Sequence, residues 1–180
     1  MAWPGVAGHG RASSRLGVAW RGKARLGLEL IDYIVLPAEI SDIYAVARHL
    51  RDGDRLEVTS LGLDPATALR KSFKHAVWRR VAVINGEIAA VFGMGGNMLS
   101  NVGYPWLLTT PAVEKLPVSF VKEGRKQAME MLSMRRRLEG HVAADYRQAC
   151  RFLEALGFTL GEPEEIGPLK AKFRKFTMER

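Results

Sequence analysis

The chain has 180 residues, 47% of them hydrophobic and 26% charged, which suits one folded domain with a sizeable core and excludes a disordered or collagen-like chain. No run approaches the ~18 consecutive apolar residues of a membrane-spanning helix, and the one cysteine, Cys150, excludes an intramolecular disulfide and fits a reducing compartment. The net charge is +8, and half of it lies in residues 1–29, where Arg11, Arg15, Arg21, Lys23 and Arg25 face only Glu29.

Residues 1–29 read as a basic, glycine-rich arm without apolar period, disordered or an extension of the domain. No apolar h-region follows its first charges, so it is not a secretory signal. Such an arm binds polyanions weakly and without sequence preference. A strand is predicted over 28–36, ended by Pro37. A helix follows from Ala38 through Ile40, Ile43, Tyr44, Ala47 and Leu50, at the spacing of a buried face. Asp52-Gly53-Asp54 reads as its break. Leu63-Asp64-Pro65 starts another helix, with Asp64 as cap and Pro65 in the first turn, and Ala68, Leu69, Phe73 and Ala76 turned inward.

Two β-rich runs within Arg80–Gly93 are joined by Asn85-Gly86, a strong hairpin signal. Residues 94–104 read as a mobile loop and Trp106–Thr110 as a short strand. Pro111 and Pro117 punctuate a linker before a helix over Val118–Arg135. Leu138–Ala144 returns as a strand. Ala149, Phe152, Leu153 and Leu156 then form one apolar stripe on a helix that Gly157 closes. A new extended segment begins at Phe158, and Lys172–Met178 is a final strand. The order β-α-α-β-β-β-α-β-α-β predicts an α+β domain: a mixed, largely antiparallel sheet with helices on both faces.

The ending Ala149-x-x-Phe152-Leu153-x-x-Leu156-Gly157-Phe158 resembles the last helix of GNAT-fold acyltransferases, whose pattern is Asn-x-x-Ala-x-x-Leu-Tyr-x-x-x-Gly-Phe. From Leu30 to Arg180 the chain is similar to small GNAT-like internal virion or morphogenesis proteins of short-tailed phages. Ile88–Gly93, Pro105–Thr110 and Phe173–Met178 carry that likeness. The resemblance implies a GNAT-like domain over 30–180, other virion proteins as partners, and a place in the host cytoplasm or the virion interior. It also implies a cleft for acetyl-CoA, with Leu108 and Thr109 beside the pantetheine arm.

Two departures bear on activity. GNAT enzymes hold the coenzyme A pyrophosphate in an Arg/Gln-x-x-Gly-x-Gly/Ala loop, where glycine lets backbone N–H groups converge on phosphate. Residues 109–119 here have no glycine, two prolines and the acidic Glu114, leaving Lys115 and Ser119 as candidate phosphate contacts. The family's tyrosine acid falls on Leu153, which has no proton to give, and its asparagine position falls on Tyr146. Tyr146 is thus the candidate acid. Glu57, after the first helical region, is a candidate substrate-facing carboxylate, with a solvated surface role the simpler reading. His141, in a strand, is a candidate base whose simpler reading is structural. His9, His49 and His75 lie apart, so no metal spacing emerges. Arg147 and Arg151 would favour a Cys150 thiolate, against a plain packing role. Aromatics near Tyr104-Pro105-Trp106 could anchor a partner, and the basic runs 70–74 and 135–137 lack the stacking aromatics of a nucleic-acid site.

These residues lead to one expectation and one alternative. The first is a virion morphogenesis protein with a degenerate acyl-CoA loop. The second is an acetyl-CoA-dependent N-acetyltransferase with an atypical phosphate site.

Overall fold

The computed structural model describes residues 20–26, 29–97, 99–115 and 120–180. Its strands are β1 (Trp20–Leu26), β2 (Glu29–Pro37), β3 (Ala76–Ile84), β4 (Glu87–Gly95), β5 (Val102–Thr109), β6 (Arg137–Ala143), β7 (Thr159–Ile166) and β8 (Ala171–Glu179). The helices are α1 (Ile40–Arg48), α2 (Asp52–Ser60), α3 (Pro65–His75), α4 (Phe120–Met134) and α5 (Arg147–Leu156), with a 3₁₀ turn at Pro111–Lys115. All eight strands form one sheet in the order β1-β2-β3-β4-β5-β6-β8-β7. Every pairing is antiparallel except β5 with β6.

Local chemistry accounts for the turns. Asn85 (φ 47°) and Gly86 (φ 85°) both lie in the left-handed region that a two-residue hairpin between β3 and β4 requires. Asp64 accepts from Thr67 N (2.8 Å) with Pro65 in the first turn of α3. Gly157 closes α5 at φ 104°.

The core lies on both faces of the sheet. On one, Ile43 and Val46 of α1, Val58 of α2 and Leu69 of α3 pack on Leu36, Val81, Val91 and Leu108. On the other, Ala128, Met131 and Leu132 of α4 and Cys150 of α5 pack on Met94, Leu138, Val142 and Phe176. Among the described residues no helix is long and apolar enough to cross a membrane.

The feature that positions the site is where β5 leaves β6. They pair only at Val102↔Arg137 and Gly103↔Leu138. Arg137 N donates to Asn101 O (3.1 Å), so the odd-numbered residues of β5 turn their backbone groups toward β6. The next residue on that edge is Pro105, which has no N–H to give. Parallel pairing therefore stops, and the sheet parts toward the C-terminal ends of both strands.

Three expectations change. Residues 20–26 of the expected arm form β1, paired with β2 from Trp20↔Val35 to Leu26↔Glu29; residues 1–19 lie outside the described residues. Asp52-Gly53-Asp54 is the first turn of α2, not the end of a helical region, because Asp52 and Asp54 suit the positive helix start. The expected loop 94–104 shrinks to 96–101 between β4 and β5. Gly103 in it is glycine for closeness, since a Cβ there would strike the Met94 side chain. The expected helix over Val118–Arg135 is α4 over its described part, Phe120–Met134, and Val118 and Ser119 lie outside the described residues.

Candidate active site

Helix α2 bridges the parted strands. Arg51, its N-cap residue, donates its backbone N–H to Thr109 O (3.0 Å) at the end of β5. Thr109 N donates back to Asp54 Oδ2 (2.8 Å), and the Thr109 hydroxyl donates to the same oxygen. Three residues on, and so on the same helix face, Glu57 Oε1 accepts from Ala143 N (2.7 Å) at the end of β6. One helix thus supplies a carboxylate to each strand end.

Tyr146, the N-cap of α5, completes the cluster. Its hydroxyl donates to Asp54 Oδ1 (3.0 Å) and accepts from Arg51 Nη2. Arg51 Nη2 also lies 3.6 Å from Asp54 Oδ1, and Arg51 Nη1 reaches Gln148 Oε1 at 3.5 Å. The Tyr146 ring covers Gly53, where a Cβ would come within 2.5 Å of it. Asp54 is 5% exposed and Thr109 3%, so these are interior polar contacts of the costly-to-break kind.

Burial sets the protonation states. It pushes Glu57 from 4.5 up to about 7, with Asp54 and Asp145 adding to the rise and the Ala143 N–H opposing it. Burial first, then the Asp54 carboxylate, also raises the Tyr146 phenol well above its ordinary value, against the pull of Arg51. Glu57 therefore exchanges its proton near neutrality, and Tyr146 stays a neutral donor. Cys150 is 7% exposed and burial raises its thiol too. The thiolate that nearby arginines would have favoured does not form, and Cys150 is a packing residue whose thiol donates to Ala143 O (3.6 Å).

An open pocket of about 290 Å³ lies beside the cluster, lined by residues that include Arg51, Gly53, Pro111, Glu114, Tyr146 and Gln148. Among the described residues no group of three or more His, Cys, Asp or Glu could hold a metal ion.

No family model and no curated protein matches the sequence. Solved structures do. The GNAT domain of S. lividans PAT superposes with a TM-score of 0.62 at 14% identity, over 89% of this chain and 97% of that one. A GNAT-family acetyltransferase from Bacillus anthracis gives 0.60 at 9% identity, over 82% and 94%. Spermidine N-acetyltransferase from Vibrio cholerae, in complex with CoA and spermine, gives 0.58 at 13% identity, over 82% and 95%. The chain has the GNAT fold.

Some residues of this GNAT fold meet the chemistry of an acyl-CoA and others do not. An acyl-pantetheine arm is an extended chain with amides, and a bared strand edge can pair with such a chain. Alternation puts the backbone groups of Leu107 and Thr109 on the edge that faces the splay. Arg51, Gln148 and the start of α5, which no side chain caps, add donors at the pocket. The Leu107 groups suit such an arm, whereas both Thr109 groups already pair with α2. At the phosphate end, the described part of the segment after β5 forms a 3₁₀ turn led by Pro111 and turns Glu114 to the pocket, and residues 116–119 lie outside the described residues.

Of the residues singled out from the sequence, Tyr146, Glu57 and Thr109 meet here. Leu108 does not line the splay: strand alternation turns its side chain into the core, where it is 8% exposed. His141 lies half-exposed on β6 with Nε2 3.4 Å from Glu164, a surface pair. Lys115 ends the 3₁₀ turn, its side chain outside the described residues, and Ser119 lies outside them altogether. Leu153, on α5, is half-buried and packs against the core that α4 covers. Sequence reasoning missed Arg51 and Asp54. The available signal was the pair Asp54 and Glu57 at a helical spacing of three.

Proposed function

We propose that the protein is an acyl-CoA-dependent N-acyltransferase working in the splay between β5 and β6. The observation that carries this reading is the parting of the two strands over a carboxylate that titrates near 7, in a fold shared with acetyltransferases. Acyl-CoA, when bound, supplies the thioester-activated acyl group. The backbone edge of Leu107 and Thr109 orients the donor, and Arg51 with Gln148 offers charge and hydrogen bonds to its polar end. Glu57 takes the proton from the acceptor amine, a task for which a base near the working pH is best placed. Tyr146 Oη donates its proton to Asp54 Oδ1 while accepting from Arg51 Nη2, and turned from Asp54 it is the hydroxyl that can donate to a leaving thiolate.

A virion role and virion partners, implied by the sequence likeness, find no counterpart in the structural matches named above, and acyl transfer takes precedence. The test is release of free thiol from acetyl-CoA against a panel of primary amines and N-terminal peptides. The reading expects amine-dependent release that falls at least about a hundredfold in Glu57→Gln. Release that ignores the amine, or equal rates in both proteins, would contradict it.

A further inference from the structure

We infer that α2 is a gate: in the structure its first two turns hold the Thr109 N–H and C=O and the Ala143 N–H at the ends of the two strands, so an acyl donor pairs along the full β5 edge only when α2 withdraws. This rests on the acyltransferase reading and goes beyond it. Thr109 is the last residue of β5, and both its backbone groups already have partners on α2, the C=O with Arg51 N and the N–H with Asp54. At the end of β6, Ala143 N is held by Glu57. A strand edge ordinarily satisfied by a neighbouring strand is satisfied here by a helix start and two carboxylates. The carboxylate oxygens stand where the amide oxygens of an extended ligand would have to accept.

The latch is Asp54. Its two oxygens take the Thr109 N–H, the Thr109 hydroxyl and the Tyr146 hydroxyl, with Arg51 beside them. Tyr146 lies over Gly53, the one position in the first turn of α2 without a side chain, so helix and ring close face to face. The same withdrawal that bares Thr109 N and O would take Glu57 off Ala143 N.

Two substitutions loosen the latch without touching the strand backbone. Thr109→Val removes the hydroxyl that Asp54 accepts. Gly53→Ala places a Cβ 2.5 Å from Cζ of Tyr146 and pushes α2 from the ring. Where only the open form binds, apparent affinity scales with its population, and loss of one charge-assisted hydrogen bond raises it about tenfold. The experiment is calorimetric titration of acetyl-CoA into the full chain and each variant, with backbone amide NMR of the wild type. The gate predicts about tenfold tighter binding by both variants, or by Gly53→Ala alone should Thr109→Val not fold. It also predicts that bound acetyl-CoA shifts the amide signals of Arg51, Thr109 and Ala143, since each loses its present partner. Equal affinities with those three signals unmoved would overturn the gate and leave the acyltransferase reading standing. Absence of binding by wild type and variants alike would overturn both.

Discussion

Glu57→Gln is a direct probe of how the cluster is built. In the folded chain Glu57 holds its proton up to about pH 7, against 4.5 in its ordinary state, chiefly because burial disfavours the charge. Between those values the folded state binds a proton that the unfolded state has released, so stability falls as pH rises through the window and levels off above it. The full effect is about 3 kcal/mol at pH 8. Glutamine keeps the size and the oxygen that accepts from Ala143 N but never ionises. The variant is therefore expected to match the wild type near pH 4.5 and to exceed it by about 3 kcal/mol at pH 8, a rise of roughly 6–12 °C in Tm for a domain of this size. Urea unfolding of both proteins at half-unit steps from pH 4.5 to 8 isolates the term, because the other groups cancel in the difference. Parallel stability curves, or a variant less stable at pH 8, would refute the burial argument.

Other consequences are equally measurable. The kcat/KM for amine acylation should rise through an apparent pKa near 7, the value set by Glu57; a flat profile from pH 6 to 8 would remove Glu57 as base. Tyr146→Phe deletes the donor to Asp54 and the acceptor from Arg51, and should lower stability by about 1–2 kcal/mol in urea unfolding while cutting kcat at least about tenfold. Gly157→Ala forces a side chain into φ 104° and should cost about 1 kcal/mol, read as a Tm lower by about 2–4 °C with acyl-CoA affinity unchanged.

Much of the fold was legible in the sequence, and the exceptions have physical causes. The β3–β4 hairpin, the α3 start and the α5 ending are set by short-range chemistry at Asn85-Gly86, Asp64-Pro65 and Gly157. Helix α2 was hidden because of what it buries: besides Val58, its buried residue is the acid Asp54, so the apolar period that marks α1 is missing. Strand β1 was hidden because backbone pairing along an edge makes it a strand, with glycine and basic residues that give no apolar alternation. Gly95 and Gly103 resemble loop residues, yet both lie in strands, and Gly103 is there for close packing against Met94.

The site was legible in pieces. Tyr146 stood out as the one phenol near the family's acid position, and Glu57 as a carboxylate of suitable placement. They are brought to one end of the sheet by the bonds of Tyr146 to Asp54 and of Glu57 to Ala143, 92 and 86 residues apart in sequence, which no local pattern encodes. Asp54 was read as part of a turn because Asp-Gly-Asp has turn chemistry whether or not a helix begins there. The sequence over 109–119 has no glycine to form a phosphate cradle, and its described part, Pro111–Lys115, is a 3₁₀ turn with Glu114 at the pocket.

The central claim is that the parted edge of β5 takes an acyl-CoA. It is tested most directly by calorimetric titration of acetyl-CoA into the full chain and into Thr109→Val, which weakens the latch of α2. The account predicts one molecule bound per chain at micromolar strength, tighter in the variant. No heat of binding up to millimolar acetyl-CoA in either protein would contradict it.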